Sequence, residues 1–171
     1  MHWLRLVLLS VGLLYGQEAK LPVFPQSREA MELILGRAAA AAEKRIDIVI
    51  LGEGAVRATG SGDYPLGYGG QGHSDLALPN PAFFQFLDWI VKQAERRRIT
   101  VAILPLHPGS ELMRSNSREK VFDFGRYLGR RYMKAKQLIW LRLDEKPDGP
   151  LQALEEGIRQ FDTLHPFETR R

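Results

Sequence analysis

Residues 137–150, QLIWLRLDEKPDGP, begin as an apolar run and end in two adjacent carboxylates before a Lys-Pro turn. The run LIWLRL is predicted to be a buried strand, because strands covered on both faces carry nearly continuous apolar side chains. Asp144 and Glu145 stand where this strand should end. The fold depends on what surrounds the strand, and the function depends on what these two acids do.

The sequence on either side alternates between helical and strand patterns. RIDIVIL at 45–51 and TVAILPL at 100–106 have the β-branched, apolar composition of two more buried strands, and short segments at 21–26 and 163–167 can each start another. Helices are predicted from caps and apolar spacing, and they run from Ser27 to Ala42, from Asn80 to Arg97, from Ser117 to Ala135 and from Pro150 onward. This alternation predicts an α/β fold with a parallel sheet of four to five strands and four helices.

The first 19 residues have the layout of a secretory signal peptide. Arg5 precedes an apolar run from Leu6 to Leu14, and the small residues Gly16 and Ala19 follow it. A membrane-spanning helix needs about 20 apolar residues, so the short run favours cleavage over an uncleaved anchor. We expect a mature domain over residues 20–171 in the periplasm or outside the cell, with no membrane attachment after cleavage.

The composition of the 171-residue chain, 44% hydrophobic and 26% charged, suits one globular domain. Because the chain has no cysteine, it forms no disulfide and carries no lipid on an N-terminal cysteine. Part of the net charge of +4 comes from Arg126, Arg130 and Lys134, which are four residues apart and share a helix face. Without interleaved aromatic residues for base stacking, this face predicts solvation rather than nucleic-acid binding.

A long glycine-rich loop is predicted from Gly52 to Pro79, far beyond the usual connection of about 4 to 6 residues. Such loops are functional or disordered. Its segment GYGGQG has the letters of a dinucleotide-binding fingerprint, but it neither follows a strand directly nor opens a helix, so no such cofactor is expected. Tyr64, Tyr68 and His73 in this loop can instead form a surface on which a sugar stacks, or they are incidental to a mobile loop.

Three stretches carry a resemblance to a known family: SREAMELILGRAAAAAEKRIDIVIL, NPAFFQFLDWIVKQAERRRITVAILPLHPG and VFDFGRYLGRRYMKAKQLIWLRLDEKPDG. They resemble the apiosidase-like catalytic-domain family, a set of bacterial secreted TIM barrels of the glycoside-hydrolase type. The matching positions, in the expected order, are Asp88, Trp89, Ile90, Val91, Ala94, Leu104, Pro105, Gly109, Gly125, Arg126, Leu128, Gly129, Arg131, Tyr132, Ile139 and Trp140.

The resemblance implies roughly the N-terminal half of a barrel, with a site at the C-terminal ends of the strands. By direct count the family's acid on the fourth strand falls on Glu145, and if the strand end has lost one residue it falls on Asp144. Leu143 and Asp144 replace a glycine pair of the family, and His107 stands where the family tends to carry tryptophan. The second carboxylate expected late in such a barrel has no counterpart in this sequence.

Glycoside hydrolysis normally uses two carboxyl groups, because one protonates the leaving oxygen while the other attacks or activates water. Glu53, just beyond the first clear strand, is a candidate for the second carboxyl group. The alternative is that Glu53 is a solvated acid of the loop. His107 and His165 are further polar residues at predicted strand ends and candidates for substrate binding. No HxH or HExxH spacing is present, so no metal or other cofactor is predicted.

Arg142 and Asp144 are two residues apart on the predicted strand and therefore share a face. Asp144 is then expected to form an ion pair with Arg142 and to contribute to folding. Glu145 is left as the better candidate for an acid or base.

Two functions remain open. The first is a secreted glycoside-hydrolase-like protein that hydrolyses glycosidic bonds in polysaccharide through Glu145 or Asp144. The second is a non-catalytic carbohydrate-binding or truncated relative of such an enzyme, and the missing second acid favours it. In both cases the expected partner is a carbohydrate, and a half barrel is expected to associate with a second copy or with a missing C-terminal half.

Overall fold

The computed structural model describes residues 24–25, 27–52, 59, 61–68, 72, 74–143, 147 and 149–170. Helices and strands alternate in the order α1 Arg28–Ala40, β1 Arg45–Leu51, α2 Pro81–Arg96, β2 Thr100–Leu106, α3 Leu112–Ser115, α4 Arg118–Tyr132, β3 Leu138–Arg142, α5 Gly149–Arg159 and β4 Phe167–Thr169. The four described strands form one sheet in the order β1-β2-β3-β4, and every pair is parallel. The predicted α/β fold with a parallel sheet is confirmed.

Three helices begin where the sequence predicts, and side-chain caps explain why. The Ser27 hydroxyl accepts a hydrogen bond from the Ala30 N–H, and the Ser117 hydroxyl accepts one from the Lys120 N–H. Asn80 caps α2, and Pro81 occupies its first turn, where a missing N–H costs nothing. These helices end one to three residues earlier than predicted.

Two smaller elements differ from the sequence prediction. The short helix α3 is an addition, and β4 begins only at Phe167, the last residue of the segment expected to start a strand. Phe24 and Pro25, the described part of the other possible strand, are not in a strand.

The two faces of the sheet pack differently. The outer face contributes Ile48, Ile103 and Trp140 to a main core that also contains side chains of the helices. On the inner face, Val49, Ala102, Leu104 and Leu141 form a second cluster, which no helix residue of the described chain joins. These four side chains are at most 6% exposed. Helices outside and an apolar layer inside are the arrangement of a (β/α)-barrel wall.

Helices α4 and α5 pack unusually close together through glycine. A Cβ atom added to Gly129 would come within 2.9 Å of the Ile158 Cα, and one added to Gly125 within 3.2 Å of the Gly157 Cα. Because no real Cβ tolerates the closest of these contacts, only glycine lets the two helices approach this far. Two glycines that match the family pattern therefore have a packing role.

The long loop after β1 is tied to the core in its described part. Leu66 and Leu76 are at most 1% exposed, and Leu66 forms an antiparallel bridge with Pro79. The buried Asn116 accepts a hydrogen bond from the Leu76 N–H and donates one to the Ser74 carbonyl oxygen. Within the part of the chain that the structure describes, no helix has both the length and the apolar character to cross a bilayer.

Candidate functional site

The C-terminal ends of the strands meet at one edge of the sheet, which we call the strand-end edge. There the last residues of β1 and β2, Leu51 and Leu106, are register partners, and the His107 N–H donates to the Leu51 carbonyl oxygen at 2.8 Å. Three acids predicted for the site, Glu53, Asp144 and Glu145, lie outside the described residues. The described residues that precede them in the chain, Gly52 and Leu143, directly follow the ends of β1 and β3.

His107 lies at the strand-end edge with a defined ring orientation. Its Nδ1 accepts a hydrogen bond from the Gly109 N–H at 2.9 Å, and its carbonyl oxygen accepts one from the Ser110 N–H. Because Nδ1 acts as the acceptor, the ring proton sits on Nε2. The half-buried ring can therefore donate a hydrogen bond from Nε2 to a ligand oxygen.

Arg142, the last residue of β3, faces the helix layer. Its guanidinium donates to Thr169 Oγ1 at 3.1 Å and forms an ion pair with Glu155 on α5, with 3.4 Å between the closest atoms. Burial raises the pKa of the Glu155 carboxyl, and the nearby Arg142 opposes that shift. The predicted partner Asp144 lies outside the described residues, whereas Glu155 was missed because no local pattern places α5 over the end of β3.

A cavity beside β2, β3 and α5 opens near this edge, and Arg142 and Glu155 are its charged lining residues. Its other lining residues are apolar, and they are Leu104, Pro105, Leu106, Pro108, Leu141, Leu143, Pro147, Leu151, Leu154 and Phe167. The cavity holds about 20 Å³, which is room for about one water molecule. A sugar ring does not fit there, so any substrate must be bound elsewhere along the edge.

Two tyrosines of the long loop belong to the same side of the sheet, because this loop leads from the end of β1 to the start of α2. Tyr64 is held through its carbonyl oxygen, which accepts from the Asn80 side-chain amide at 2.8 Å. Tyr68 is 77% exposed. His73, the third residue predicted for a sugar-stacking surface, lies outside the described residues.

His165 lies at the opposite edge, where the strands begin. It precedes β4, is only 8% exposed, and directs Nδ1 to Asp162 Oδ2 and Nε2 to the Ala135 carbonyl oxygen, both at 2.7 Å. The sequence placed it with strand-end residues because it was read beside a possible strand without knowing where that strand begins. The structure separates it from His107, and both of its ring nitrogens are already engaged within the chain.

The motif residues that carry the family resemblance hold helices together. Asp88 on α2 and Arg131 on α4 form a bidentate ion pair at 2.9 and 2.7 Å, and Arg131 also donates to the Tyr127 hydroxyl at 2.9 Å. Burial raises the pKa of the Tyr132 phenol well above its usual value. These residues are structural, and they lie away from the strand-end edge.

A metal centre finds no support among the described residues, since no three His, Asp or Glu side chains of that part of the chain gather as ligands.

A parallel sheet with helices on one face, an apolar inner layer and polar residues at its strand-end edge defines a partial (β/α) barrel. Solved glycoside hydrolases share this fold. A family 5 glycoside hydrolase from Bacteroides vulgatus matches with a TM-score of 0.65 and 19% identity over 84% of this chain and 32% of its own. A second glycoside hydrolase matches with a TM-score of 0.65 and 18% identity over 84% of this chain and 33% of its own.

A third similar structure is endoglucanase Cel5A from the hyperthermophilic Thermotoga maritima. It has a TM-score of 0.52 and 20% identity over 81% of this chain and 42% of its own. The chain thus spans about a third of the length of the first two structures, and identities this low show the fold alone.

The family model described as "Apiosidase-like, catalytic domain" matches residues 45–170, from the first residue of β1 to just beyond β4. The chain belongs to this apiosidase-like catalytic-domain family, as its motifs predicted. No curated protein matches the chain.

Proposed function

We propose that this chain is part of an exported glycoside-hydrolase-like barrel that hydrolyses glycosidic bonds in polysaccharide, with Glu145 as the general acid/base. The observation that carries the proposal is the family match over residues 45–170, which includes the end of β3 and the residues that follow it. Ile139, Leu141 and Leu143 belong to the inner-face cluster, whereas Arg142 contacts the helix layer. Asp144 and Glu145 follow this strand in the chain but lie outside the described residues.

The inner side of the strand-end edge is where barrel enzymes assemble their sites. The resemblance to the family implies Glu145, by residue count, as the acid that follows this strand. His107 supplies a neighbouring hydrogen-bond donor at Nε2, suited to a sugar hydroxyl. Glu53, two residues beyond the end of β1, is the candidate for the second carboxylate. A separation of about 5 Å from Glu145 would suit retention of configuration, and about 6.5 to 9.5 Å would suit inversion.

The second candidate function is carbohydrate binding without catalysis, by a diverged relative of such an enzyme. The Glu155–Arg142 ion pair favours it, because this half-buried carboxylate near the edge is engaged by an arginine that faces the helix layer. The exposed ring of Tyr68 suits it as well, because aromatic faces pack against the apolar faces of sugars.

Turnover of a panel of aryl pentosides and hexosides separates the two functions. Glu145→Gln should reduce turnover by roughly 10²- to 10⁴-fold, because it removes a general acid, and should leave the Tm nearly unchanged. Asp144→Asn is the matched control and should retain turnover. Loss of turnover in Asp144→Asn alone would exchange the two roles.

A wild-type chain without turnover, but with oligosaccharide binding that Tyr68→Ala weakens in calorimetry, supports the binding function instead. Export is tested separately by the intact mass of protein recovered from the periplasm or medium. We expect processing between residues 16 and 20, as the apolar run and its small flanking residues indicate.

A further inference from the structure

A second cavity opens at the edge of the sheet where the strands begin, and we call it the strand-start cavity. Its polar lining residues come from the turns before β1 and β2 and from the first residues of the strands, and they are Glu43, Lys44, Arg45, Arg98, Thr100 and Glu168. It holds about 560 Å³, a volume typical of sites for small molecules. Because it lies at the opposite end of the strands from the strand-end edge, it is separate from the proposed site of hydrolysis.

Three of the lining side chains are cations, and one of them is already neutralised. Arg45 binds Asp47 at 2.8 Å and Glu168 at 2.9 Å. Within the part of the chain that the structure describes, neither Lys44 nor Arg98 forms an ion pair or a side-chain hydrogen bond. Two cations on the wall of the strand-start cavity are therefore available to a ligand.

Arg98 has a backbone conformation that favours glycine. Its φ is 57°, and it is the one non-glycine residue of the described chain with a positive φ. It follows the end of α2, where its N–H donates to the Glu95 carbonyl oxygen at 3.1 Å and the Ile99 N–H donates to the Ala94 carbonyl oxygen at 2.9 Å. In this type of helix-ending turn the left-handed residue is usually glycine. A residue with a Cβ atom is strained there.

The strain at position 98 points to a role for the arginine side chain. Strained backbone positions of this kind cluster at binding sites and active sites. Glycine would end α2 without strain, but it would remove a cation from the wall of the cavity. Since the guanidinium has no ion pair or hydrogen bond among the described residues, no internal contact of this kind offsets the strain. A bound anion would supply the missing contact.

The remaining polar side chains of the cavity suit hydroxyl groups. Glu43 is exposed and can accept hydrogen bonds, and the half-buried Thr100 carries a hydroxyl that can donate or accept. Because Glu43 opposes Lys44 and Arg98, the free side chains carry one positive charge in excess. A single carboxylate balances this charge, whereas a phosphate monoester carries about 1.5 to 2 negative charges.

We infer that the strand-start cavity binds a sugar acid, with Arg98 and Lys44 holding its carboxylate and with Glu43 and Thr100 contacting its hydroxyl groups. An arginine binds a carboxylate through two parallel hydrogen bonds, which fixes the orientation of the ligand. The site requires no hydrolysis, so it is compatible with either of the two candidate functions.

NMR titration of the ¹⁵N-labelled full chain tests the site with glucuronate, glucose and glucose 6-phosphate. We expect glucuronate to shift the backbone amide signals of Lys44, Arg98 and Thr100. It should bind roughly 10-fold or more tightly than glucose, because glucose lacks the charged group. Equal binding of glucose, or no saturable binding of glucuronate, would overturn the inference. Tighter binding of glucose 6-phosphate would assign the site to phosphate and overturn the carboxylate assignment.

Arg98→Gly separates a binding role of this arginine from a structural one. It should weaken glucuronate binding by roughly 10-fold or more, because it removes the guanidinium. It should also raise the Tm by roughly 2 to 4 °C, because glycine relieves the left-handed strain. Unchanged affinity would show that Arg98 does not hold the carboxylate. A lower Tm would show that the arginine serves the fold, and this result would also contradict the inference.

Two further variants separate the cavity from the overall charge of the chain. Lys44→Gln should weaken glucuronate binding, since it removes the second free cation of the cavity. Arg96→Gln is the matched control, because it removes one positive charge from the exposed last turn of α2 outside the cavity. It should keep the wild-type affinity. Equal losses in the two variants would mean that binding follows net charge and would overturn the site.

Discussion

Arg45 on β1 and Glu168 on β4 form an ion pair at 2.9 Å across the inner face of the sheet, although β2 and β3 lie between their strands. Asp47, also on β1, binds Arg45 at 2.8 Å and Arg170 at 3.4 Å. These four side chains link the two outermost strands of the described sheet. Such a link requires a sheet curved like a barrel wall, because side chains on the edges of a flat four-stranded sheet would not meet.

Substitutions in this four-residue network should differ in their effect. Asp47→Asn should lower the free energy of unfolding by more than about 1 kcal/mol, because it leaves two partly buried arginines without their shared carboxylate. Glu168→Gln should cost less than about 1 kcal/mol, since Glu168 is more exposed and Asp47 still binds Arg45. Urea unfolding measures both. A larger loss for Glu168→Gln would mean that Asp47 does not organise the network.

Close packing of α4 on α5 predicts that one methyl group added at their contact strongly lowers the free energy of unfolding. Gly129→Ala should lower the free energy of unfolding by about 1 to 3 kcal/mol, because the added Cβ meets the backbone of Ile158, which cannot move aside locally. Gly36→Ala is the matched control in the exposed part of α1, where an added Cβ meets nothing within 4 Å. It should stabilise the fold by about 0.5 to 1 kcal/mol. Equal effects of the two substitutions would show that the helices are farther apart.

The bidentate pair between Asp88 and Arg131 predicts that a positive charge alone at position 131 does not maintain the stability of the fold. Arg131→Lys keeps the charge but loses the paired geometry and the contact with Tyr127, so we expect a loss of about 1 to 3 kcal/mol. Arg126→Lys is the control, because its ion pair with Asp123 is about half exposed, and it should change stability by less than about 0.5 kcal/mol. Full stability of Arg131→Lys would show that the pair contributes through its charge and not through its bidentate geometry.

Self-association is expected for the isolated chain. The outer edges of β1 and β4 pair with no other strand among the described residues, and unpaired edges of parallel sheets favour contacts with another chain. Light scattering of the purified chain should give a mass above that of the monomer. A monodisperse monomer would indicate that the edges and the inner face are covered within the chain, as the low exposure of the inner-face cluster already allows.

The sequence by itself was sufficient for the features that depend on neighbouring residues. Ser27, Asn80 and Ser117 cap helices because a cap bonds to an N–H two or three residues ahead. The strands at 45–51 and 100–106 match β1 and β2 residue for residue, since their composition leaves no other way to bury them. The motifs around α2 and α4 likewise identified the family and hence the barrel type.

Only the tertiary structure decided which distant side chains meet. His165 was placed with the strand-end residues, yet it lies at the opposite edge, because the turn that carries it leads into β4 rather than out of a strand. Arg142 binds Glu155, 13 residues away, and Arg45 binds Glu168, 123 residues away. Neither partner follows from local sequence. The packing of α5 over the end of β3 brings Glu155 to Arg142, whereas strand order and sheet curvature bring Glu168 to Arg45.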